Sequence, residues 1–283
     1  AEKNKLPRTL VNLTDKIYRK AEKKKDSPQM LKAYMWRMKY REAIAPDSFY
    51  INLQGLEQWV QQTKVPMDRA ILHSLIAGIY TEYALQNRWT LRLQKEIVGK
   101  IPSDIKEWTG NMFIEKIGMH AREAVKDSVL LLKTSSRTYI PFVELGEASE
   151  YYHHDMYHLL ASRSIKALTE IDELDLSQSK NVKSEIATLY KNMISAYQKK
   201  EDKEGILLAS LDYLKWQNTT RYVEKLIPVQ GEQVEFGLLK NFYIAGLNEL
   251  ITNYKSLEVC AEVYRAKANY AFEREQWVTA LQL

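Results

Sequence analysis

The sequence predicts an all-α protein, folded as an irregular α-solenoid of antiparallel helix hairpins. Apolar residues recur at spacings of three and four along most of the chain, as they do on the buried face of a helix. Only 10 Gly and 7 Pro occur among 283 residues, which favours long helices joined by short connections. No segment alternates apolar and polar residues in the way a half-buried strand does.

The first half of the chain contains clear helix signals. Lys23–Lys25 mark the end of the first helix, where cations interact favourably with the helix dipole, and Asp26 or Ser27 is the predicted N-cap of the second. The sequence "APDS" at 45–48 separates the second helix from the third, Pro66 starts the fourth, and Pro102 with Ser103 starts the fifth. The apolar positions that predict these five helices are Leu10, Leu13, Ile17 and Ala21; Met30, Leu31, Tyr34, Met35 and Met38; Leu53, Leu56 and Val60; Ile71, Leu72, Leu75, Ile76, Ile79, Tyr80 and Tyr83; and Ile105, Trp108, Met112, Phe113 and Ile117.

The second half begins with the least regular segment, from Lys133 to Tyr152, which predicts a long loop with short helical turns because it holds Ser135, Pro141 and Gly146. Further helices are predicted at 153–174, 180–200, 203–218, 231–254, 257–273 and 275–283. The whole of 1–283 is interpreted as one helical-repeat domain, with a possible subdivision near 133–152.

The last predicted hairpin matches the tetratricopeptide pattern, and a weaker echo runs from Ile186 to Gly205. The positions of the match are Tyr264, Ala268, Ala271 and Phe272 in the first helix, Glu275 and Gln276 in the turn, and Trp277 and Ala280 in the second helix; Lys267 departs from the usual Leu. Because the chain stops at Leu283, within the second helix, we expect it to be a fragment of a longer protein.

The net charge of +5 is unevenly distributed. Residues 1–100 carry 19 Lys and Arg against 10 Asp and Glu, and the remainder carries 22 against 26. The basic excess is densest on the amphipathic first helix, which favours a solvated helix face over a nucleic-acid surface. A single cysteine, Cys260, permits no intrachain disulfide. Cys260 lies among small residues, as a buried structural thiol does. No run of 18 apolar residues occurs in the sequence, so no membrane-spanning segment is predicted.

The segment "YYHHDMYHLLA" at 151–161 raises the possibility of a metal site. His154 and His158 are four residues apart, which would place both imidazoles on one face of a helix, as in the His-Glu-x-x-His motif of zinc proteases. Asp155 is shorter than the required Glu, and no His follows His158; Glu170 or Glu173 would have to supply the third ligand. The other interpretation is an amphipathic helix with Met156, Leu159, Leu160 and Ile165 inward and the polar groups outward, and it predicts no metal.

No other motif points to catalysis. The sequence contains no Gly-rich phosphate loop and no Gly-x-Ser-x-Gly elbow. We therefore expect no catalytic residue, no cofactor and no metal ligand, and we interpret the protein as a non-enzyme.

Several segments together resemble the amino-terminal region of the large alpha-2-macroglobulin-like proteins of the Gram-negative cell envelope. They are "LVNLTDKIYRKAEKKKDSPQMLKAYMWRMKY", "LHSLIAGIYTEYALQNRW" and "IPSDIKEWTGNMFIEKI". The family also shows a helix of the type Leu-Tyr-Asp-x-Leu-Ala-x-Arg-Ala, and here His158 replaces the acid. The residues that fit that helix are Met156, Tyr157, Leu159, Leu160, Ala161, Arg163 and Ile165.

The resemblance implies a non-catalytic interaction or spacer module at the start of a much longer envelope protein, with the thioester segment of that family absent here. It implies a periplasmic or envelope-anchored location, with Ala1 following a removed leader. The partner would be the downstream macroglobulin domains of the same chain or another envelope protein. Two alternatives remain: a free-standing protein- or peptide-binding repeat scaffold of the envelope, and a zinc hydrolase acting through His154 and His158.

Overall fold

The computed structural model describes residues 6–94, 102–144, 146, 155–172, 180–220 and 236–282. Throughout these ranges the regular structure is α-helix with short 3₁₀ turns, and no strand occurs in them; one isolated bridge joins Ser135 to Asp155. The prediction of an all-α fold is therefore confirmed. The described residues form two compact units, with the boundary between Val182 and Lys183.

The first unit contains eight described α-helices. They are α1 (Pro7–Lys24), α2 (Ser27–Ile44), α3 (Ser48–Gln62), α4 (Pro66–Gln86), α5 (Arg88–Leu93), α6 (Gly110–Ala124), α7 (Ser128–Lys133) and α8 (Met156–Asp172). Two 3₁₀ turns, Ile105–Glu107 and Ser136–Tyr139, lie before α6 and after α7. The turn at Ser136–Tyr139 confirms the short helical structure expected within the 133–152 segment.

Helix α4 is the centre of the first unit. It packs against α3, α6 and α8, and its buried residues lie on most of its circumference. This explains why its sequence reads as an almost continuous apolar run rather than as a narrow stripe. Polar groups on such a helix must find partners inside the protein, and Asp68, His73 and Ser74 are all buried.

The α1–α2 hairpin forms where the sequence predicts it. Lys25 adopts a left-handed conformation at the end of α1, and the Asp26 side chain accepts a hydrogen bond from the backbone N–H of Gln29 at 3.2 Å. The predicted buried face of α1 is partly wrong, because Leu13 and Ile17 are exposed. The helix instead turns Leu10, Thr14 and Ala21 inward, which places the Tyr18 ring 6.0 Å from that of Trp59 in α3.

The helix predicted to start at Pro102 is divided in the structure. Trp108 and Thr109 are extended, and α6 begins only at Gly110. The Trp108 indole Nε1 donates a hydrogen bond to the carbonyl of Pro102 at 2.7 Å and holds the chain in this bend. The apolar residues from Ile105 to Ile117 therefore belong to two elements, the 3₁₀ turn and α6, whose apolar side chains pack into the same core.

The second unit contains most of α9 (Lys180–Lys199), with α10 (Lys203–Thr220), α11 (Phe236–Tyr254), α12 (Ala261–Phe272) and α13 (Trp277–Leu281). Glu201 has a positive φ of 57° in the tight turn between α9 and α10. Residues 231–235, predicted to begin α11, lie outside the described residues. The core joins α10, α11 and α12 through Leu207, Leu211, Tyr243, Leu247, Leu250, Cys260, Val263, Ala266 and Tyr270.

The last hairpin has a buried face displaced from the tetratricopeptide match. Within α12 the buried residues are Val263, Ala266, Tyr270 and Ala271, whereas Phe272 is exposed. Trp277 at the start of α13 is also exposed, and its ring lies edge-on against Phe272 at 4.6 Å. The tetratricopeptide-like solenoid arrangement stays a prediction.

Candidate functional site

The proposed metal motif begins with Asp155, which the structure uses as a helix cap. Its carboxylate accepts a hydrogen bond from the backbone N–H of His158 at 2.7 Å, the arrangement of an N-terminal helix cap. Helix α8 starts at Met156, two positions after His154, which lies outside the described residues. The prediction that the His158 side chain faces outward is wrong, because it is only 7% exposed.

The possible third ligands do not complete a site within the described ranges. Glu170 lies 3.7 Å from Lys166 in an exposed ion pair, and Glu173 lies outside the described residues. In the part of the chain that the structure describes, no group of three or more His, Cys, Asp or Glu side chains is arranged to hold a metal ion. Cys260, by contrast, is buried as expected.

A large open cleft lies in the first unit between α3, the 102–108 segment, α4 and α6. Its volume is about 930 Å³, which is within the range of ligand-binding clefts. We call it the α3 cleft, and its lining residues are Tyr50, Ile51, Leu53, Gln54, Glu57, Gln61, Tyr80, Pro102, Ser103, Asp104, Ile105, Lys106, Trp108 and Lys116. Aromatic and aliphatic walls alternate in it with polar groups.

Two lysines lie over aromatic rings in this cleft. The Lys106 ammonium is 4.7 Å from the centre of the Tyr50 ring, and the Lys116 ammonium is 5.9 Å from that of Trp108. Such cation–π contacts stabilise the extended lysine side chains along the cleft wall. The cleft therefore presents apolar surface together with charged groups of both signs, Lys106 and Lys116 against Glu57 and Asp104.

Glu57 and Tyr80, which line the cleft, form a histidine network with the buried side chains of His73 and His120. The Tyr80 hydroxyl donates to Glu57 Oε1 at 2.8 Å, and His120 Nε2 lies 3.3 Å from the same oxygen. The Nδ1 atoms of His120 and His73 are 2.9 Å apart. At this distance one Nδ1 must donate to the other, so the pair contains one Nδ1–H and one unprotonated Nδ1. The network joins α3, α4 and α6.

The network moves its ionisable groups away from neutral pH. Burial, with the neighbouring His120, lowers the pKa of His73 from 6.5 to about 4. Burial alone would raise the pKa of Glu57, but its contacts with His120 and Tyr80 outweigh that effect and lower it. Burial, with the adjacent Glu57, raises the pKa of Tyr80. At pH 7 the network therefore holds a carboxylate, a neutral His73 and a protonated Tyr80.

Three groups of the network have pKa values displaced from the range in which side chains exchange protons most readily at neutral pH. A general acid or base works best when its pKa lies near the working pH, and the shifts of His73, Glu57 and Tyr80 all lead away from it. Among the described residues, no hydroxyl or thiol is hydrogen-bonded to either imidazole. The chemical role of the network is to pair polar groups that α4 buries.

The structure brings together residues that no motif in the sequence connects. His73 and His120 are 47 positions apart, and Glu57 belongs to a third helix. The available signal was their position: both histidines interrupt otherwise apolar faces of α4 and α6. A polar residue on such a face implies a buried partner, although the sequence does not say which one.

Among the described residues, no helix combines the length and apolar character needed to cross a membrane. No protein family, curated protein or solved structure gives a significant match to this chain.

Proposed function

We propose that this protein is a non-catalytic helical interaction module that binds a polypeptide segment in the α3 cleft. The observation that carries the proposal is the cleft itself, whose volume of about 930 Å³ is combined with aromatic walls and a lysine-bearing rim. Tyr and Trp supply large contact areas at protein interfaces, and a mixed polar rim supplies specificity.

The proposed setting follows from the resemblance described above. The module would lie near the amino terminus of an alpha-2-macroglobulin-like protein, in the periplasm or at the cell envelope. Its partner would be the macroglobulin domains of the same polypeptide or another envelope protein. The alternative, a free-standing peptide-binding scaffold, uses the same cleft and differs only in the source of the bound segment.

Site-specific photo-cross-linking in the source organism tests this proposal. Ile51 lines the cleft and is 68% exposed, whereas Val129 on α7 does not line it and is 62% exposed. A benzophenone amino acid at position 51 is expected to trap one discrete polypeptide segment, and the same group at position 129 is not.

The identity of the trapped segment separates the two settings. A macroglobulin-type domain supports the leading proposal, and an unrelated envelope polypeptide supports the alternative. Equal labelling from both positions, or none from position 51, would show that the α3 cleft is not the binding surface.

The remote alternative, a zinc hydrolase acting through His154 and His158, has a separate test. Elemental analysis of the purified protein is expected to find less than stoichiometric zinc. One zinc ion per chain, lost in the His154→Ala variant, would contradict the non-catalytic proposal.

A further inference from the structure

A second, smaller cavity lies in the first unit between α4, α8 and residues 142–144. Its volume is about 190 Å³, and it shares no lining residue with the α3 cleft. Its walls are mainly apolar, with Leu75, Phe142, Val143 and Leu159 among them. A cavity of about 150 Å³ accommodates benzene, so this one has room for one leucine- or phenylalanine-sized side chain.

One arginine lies among these apolar walls. The Arg163 side chain as a whole is exposed, yet it lines the cavity, and desolvation lowers the pKa of its guanidinium. Its Nε donates a hydrogen bond to the Ser74 hydroxyl at 3.2 Å, which fixes the orientation of the guanidinium plane. An arginine remains charged at neutral pH in spite of such desolvation.

Arg163 has no acidic partner among the described residues. The nearest candidate in the lining is Glu144, and the structure pairs its carboxylate with the Lys32 ammonium at 3.0 Å instead. The two Nη groups of Arg163 thus keep their donors available. A guanidinium pairs best with a carboxylate, through two parallel N–H···O hydrogen bonds.

We infer that this cavity binds the C-terminal residue of a polypeptide, with an aliphatic or aromatic side chain in the apolar part and the terminal carboxylate on Arg163. Charge complementarity and size select this ligand: among the described residues that line the cavity, Arg163 is a cation with no acidic partner, and the volume suits one side chain. The inference is independent of the α3 cleft, because the two sites have no residue in common.

The test uses two pentapeptides, Gly-Ser-Gly-Ser-Leu with a free carboxylate and the same peptide with a C-terminal amide. Binding is followed by NMR titration of the ¹⁵N-labelled protein, including the Arg163 Nε–Hε signal. We expect the free acid to shift this signal with a Kd of about 1 mM or tighter. We expect the amide to bind at least about tenfold more weakly, because it lacks the charged carboxylate, and a hydrogen bond to a charged group contributes enough free energy to change the affinity by about that factor. Equal binding of acid and amide would overturn the inference.

Two variants show whether Arg163 and the cavity are responsible. Arg163→Gln is expected to weaken binding of the free acid by about tenfold or more. Lys166→Gln removes the same charge from the same helix, where Lys166 pairs with Glu170, and it is expected to leave binding unchanged. Leu159→Trp fills the cavity without changing charge and is expected to abolish binding, which keeps the test valid if Arg163→Gln proves unstable. Unchanged affinity in both Arg163→Gln and Leu159→Trp would refute the site.

N-acetyl-leucine provides the last arm. It carries the same carboxylate and side chain as the peptide, and we expect it to bind through Arg163 with similar or weaker affinity. If only this free acid binds and the peptide does not, the cavity is a small-molecule site and the polypeptide inference is wrong.

Discussion

At the scale of single residues, His73 is the group with the clearest energetic consequence. It lies in α4 against His120, and the ionisable groups that influence it are His120, Glu123, Glu57 and Arg69. Its pKa of about 4 in the folded protein is below the 6.5 of an exposed histidine. The unfolded chain therefore binds the proton more tightly, and protonation favours unfolding.

The first prediction concerns pH and stability. The contribution of His73 to the free energy of unfolding is fully present above pH 6.5. It is lost as the pH falls from 6.5 towards 4, and a pKa shift of this size corresponds to a loss of roughly 3 kcal/mol. Urea denaturation of the wild-type protein is expected to show this slope, and the His73→Gln variant is expected to be less stable at pH 7 but flatter between pH 6.5 and 4.

The lowered pKa of Glu57 provides an internal reference for this experiment. The contribution of Glu57 to the free energy of unfolding is lost only below pH 4.5. The wild-type and His73→Gln proteins should therefore show the same loss of stability below that pH. Parallel stability curves across the range from pH 6.5 to 4 would rule out the assignment to His73.

His158 shows why sequence reasoning reached the wrong side of α8. Spacing alone paired His158 with His154, and the polar character of histidine suggested an outward position. In the structure the first turn of α8 is buried: Met156, Tyr157 and His158 are all inaccessible, and Asp155 caps the helix. Whether consecutive residues at the start of a helix are buried depends on which other elements pack against that end. The periodicity of the helix's own sequence does not identify those elements.

At the scale of helices, α2 and α3 approach closely at Gly55. A Cβ atom at this position would overlap the Tyr34 hydroxyl oxygen, whereas the next nearest atom, Tyr34 Cζ, would lie at an ordinary 3.6 Å. The Tyr34 ring cannot easily move away, because it packs 5.3 Å from Trp59 and 4.6 Å from the Arg37 guanidinium. The absence of a side chain at position 55 allows this contact.

The second prediction is a double-mutant cycle at this contact. Gly55→Ala should lower the free energy of unfolding by about 1–2 kcal/mol, since overpacking outweighs the better helix propensity of Ala. In a Tyr34→Phe background the clash is gone, and the same substitution should become neutral or stabilising. Thermal or urea melts of the four proteins measure the coupling, and strict additivity would contradict the proposed contact.

Asp68 joins three elements at the start of α4. Its carboxylate accepts hydrogen bonds from the Ser27 hydroxyl at 2.6 Å and from the Tyr139 hydroxyl at 2.9 Å. The side chain is buried, and burial with the adjacent Asp68 raises the pKa of Tyr139. The contact therefore connects the start of α2 and the 3₁₀ turn at Ser136–Tyr139 to the centre of the unit.

The third prediction is that Asp68→Ala lowers the free energy of unfolding by about 2–4 kcal/mol, because it leaves two hydroxyls without their acceptor in a buried site. Tyr139→Phe should have a smaller effect of about 1 kcal/mol. Glu144→Ala is the matched control, since it removes an exposed carboxylate paired with Lys32 and should change stability by less than about 1 kcal/mol. Denaturation curves in which Asp68→Ala resembles this control would disprove a structural role for Asp68.

The sequence predicted helices better than it predicted their contacts. Starts such as Asp26 and Pro66 were correct because capping and the fixed φ of proline act locally. The predicted buried face of α1 was wrong, and the division at Trp108 was missed, because they depend on Trp59 and Pro102. The histidine network and the Asp68 contacts were missed for the same reason, since their partners lie 23 to 71 positions away.

At the scale of the whole molecule, the two compact units differ in their titratable groups. The three described histidines, His73, His120 and His158, belong to the first unit, and residues 183–283 contain no histidine. In the second unit, burial raises the pKa of Asp212 above its usual value. The raised pKa of Asp212 affects stability in the opposite direction to the lowered pKa of His73. The folded state binds the Asp212 proton more tightly than the unfolded state does, so acid does not destabilise the second unit through this group.

The fourth prediction is therefore that mild acid loosens only the first unit. Hydrogen–deuterium exchange, corrected for the intrinsic effect of pH, should accelerate in α4 and α6 as the pH falls from 6.5 to 4.5, while α10 and α12 keep their protection. Uniform acceleration in all four helices would indicate that the units do not respond separately.

The buried thiol of Cys260 has a consequence for spectroscopy. The residue is 2% exposed, and burial raises its pKa, so the native protein should resist maleimide reagents at neutral pH, which react with the thiolate. A cysteine introduced at an exposed position such as Ile51 or Val129 would then carry a fluorophore or spin label alone, without prior removal of the natural thiol. The protein is already suited to single-site labelling, and the emission of one dye at position 51 would test the ligand binding proposed for the α3 cleft.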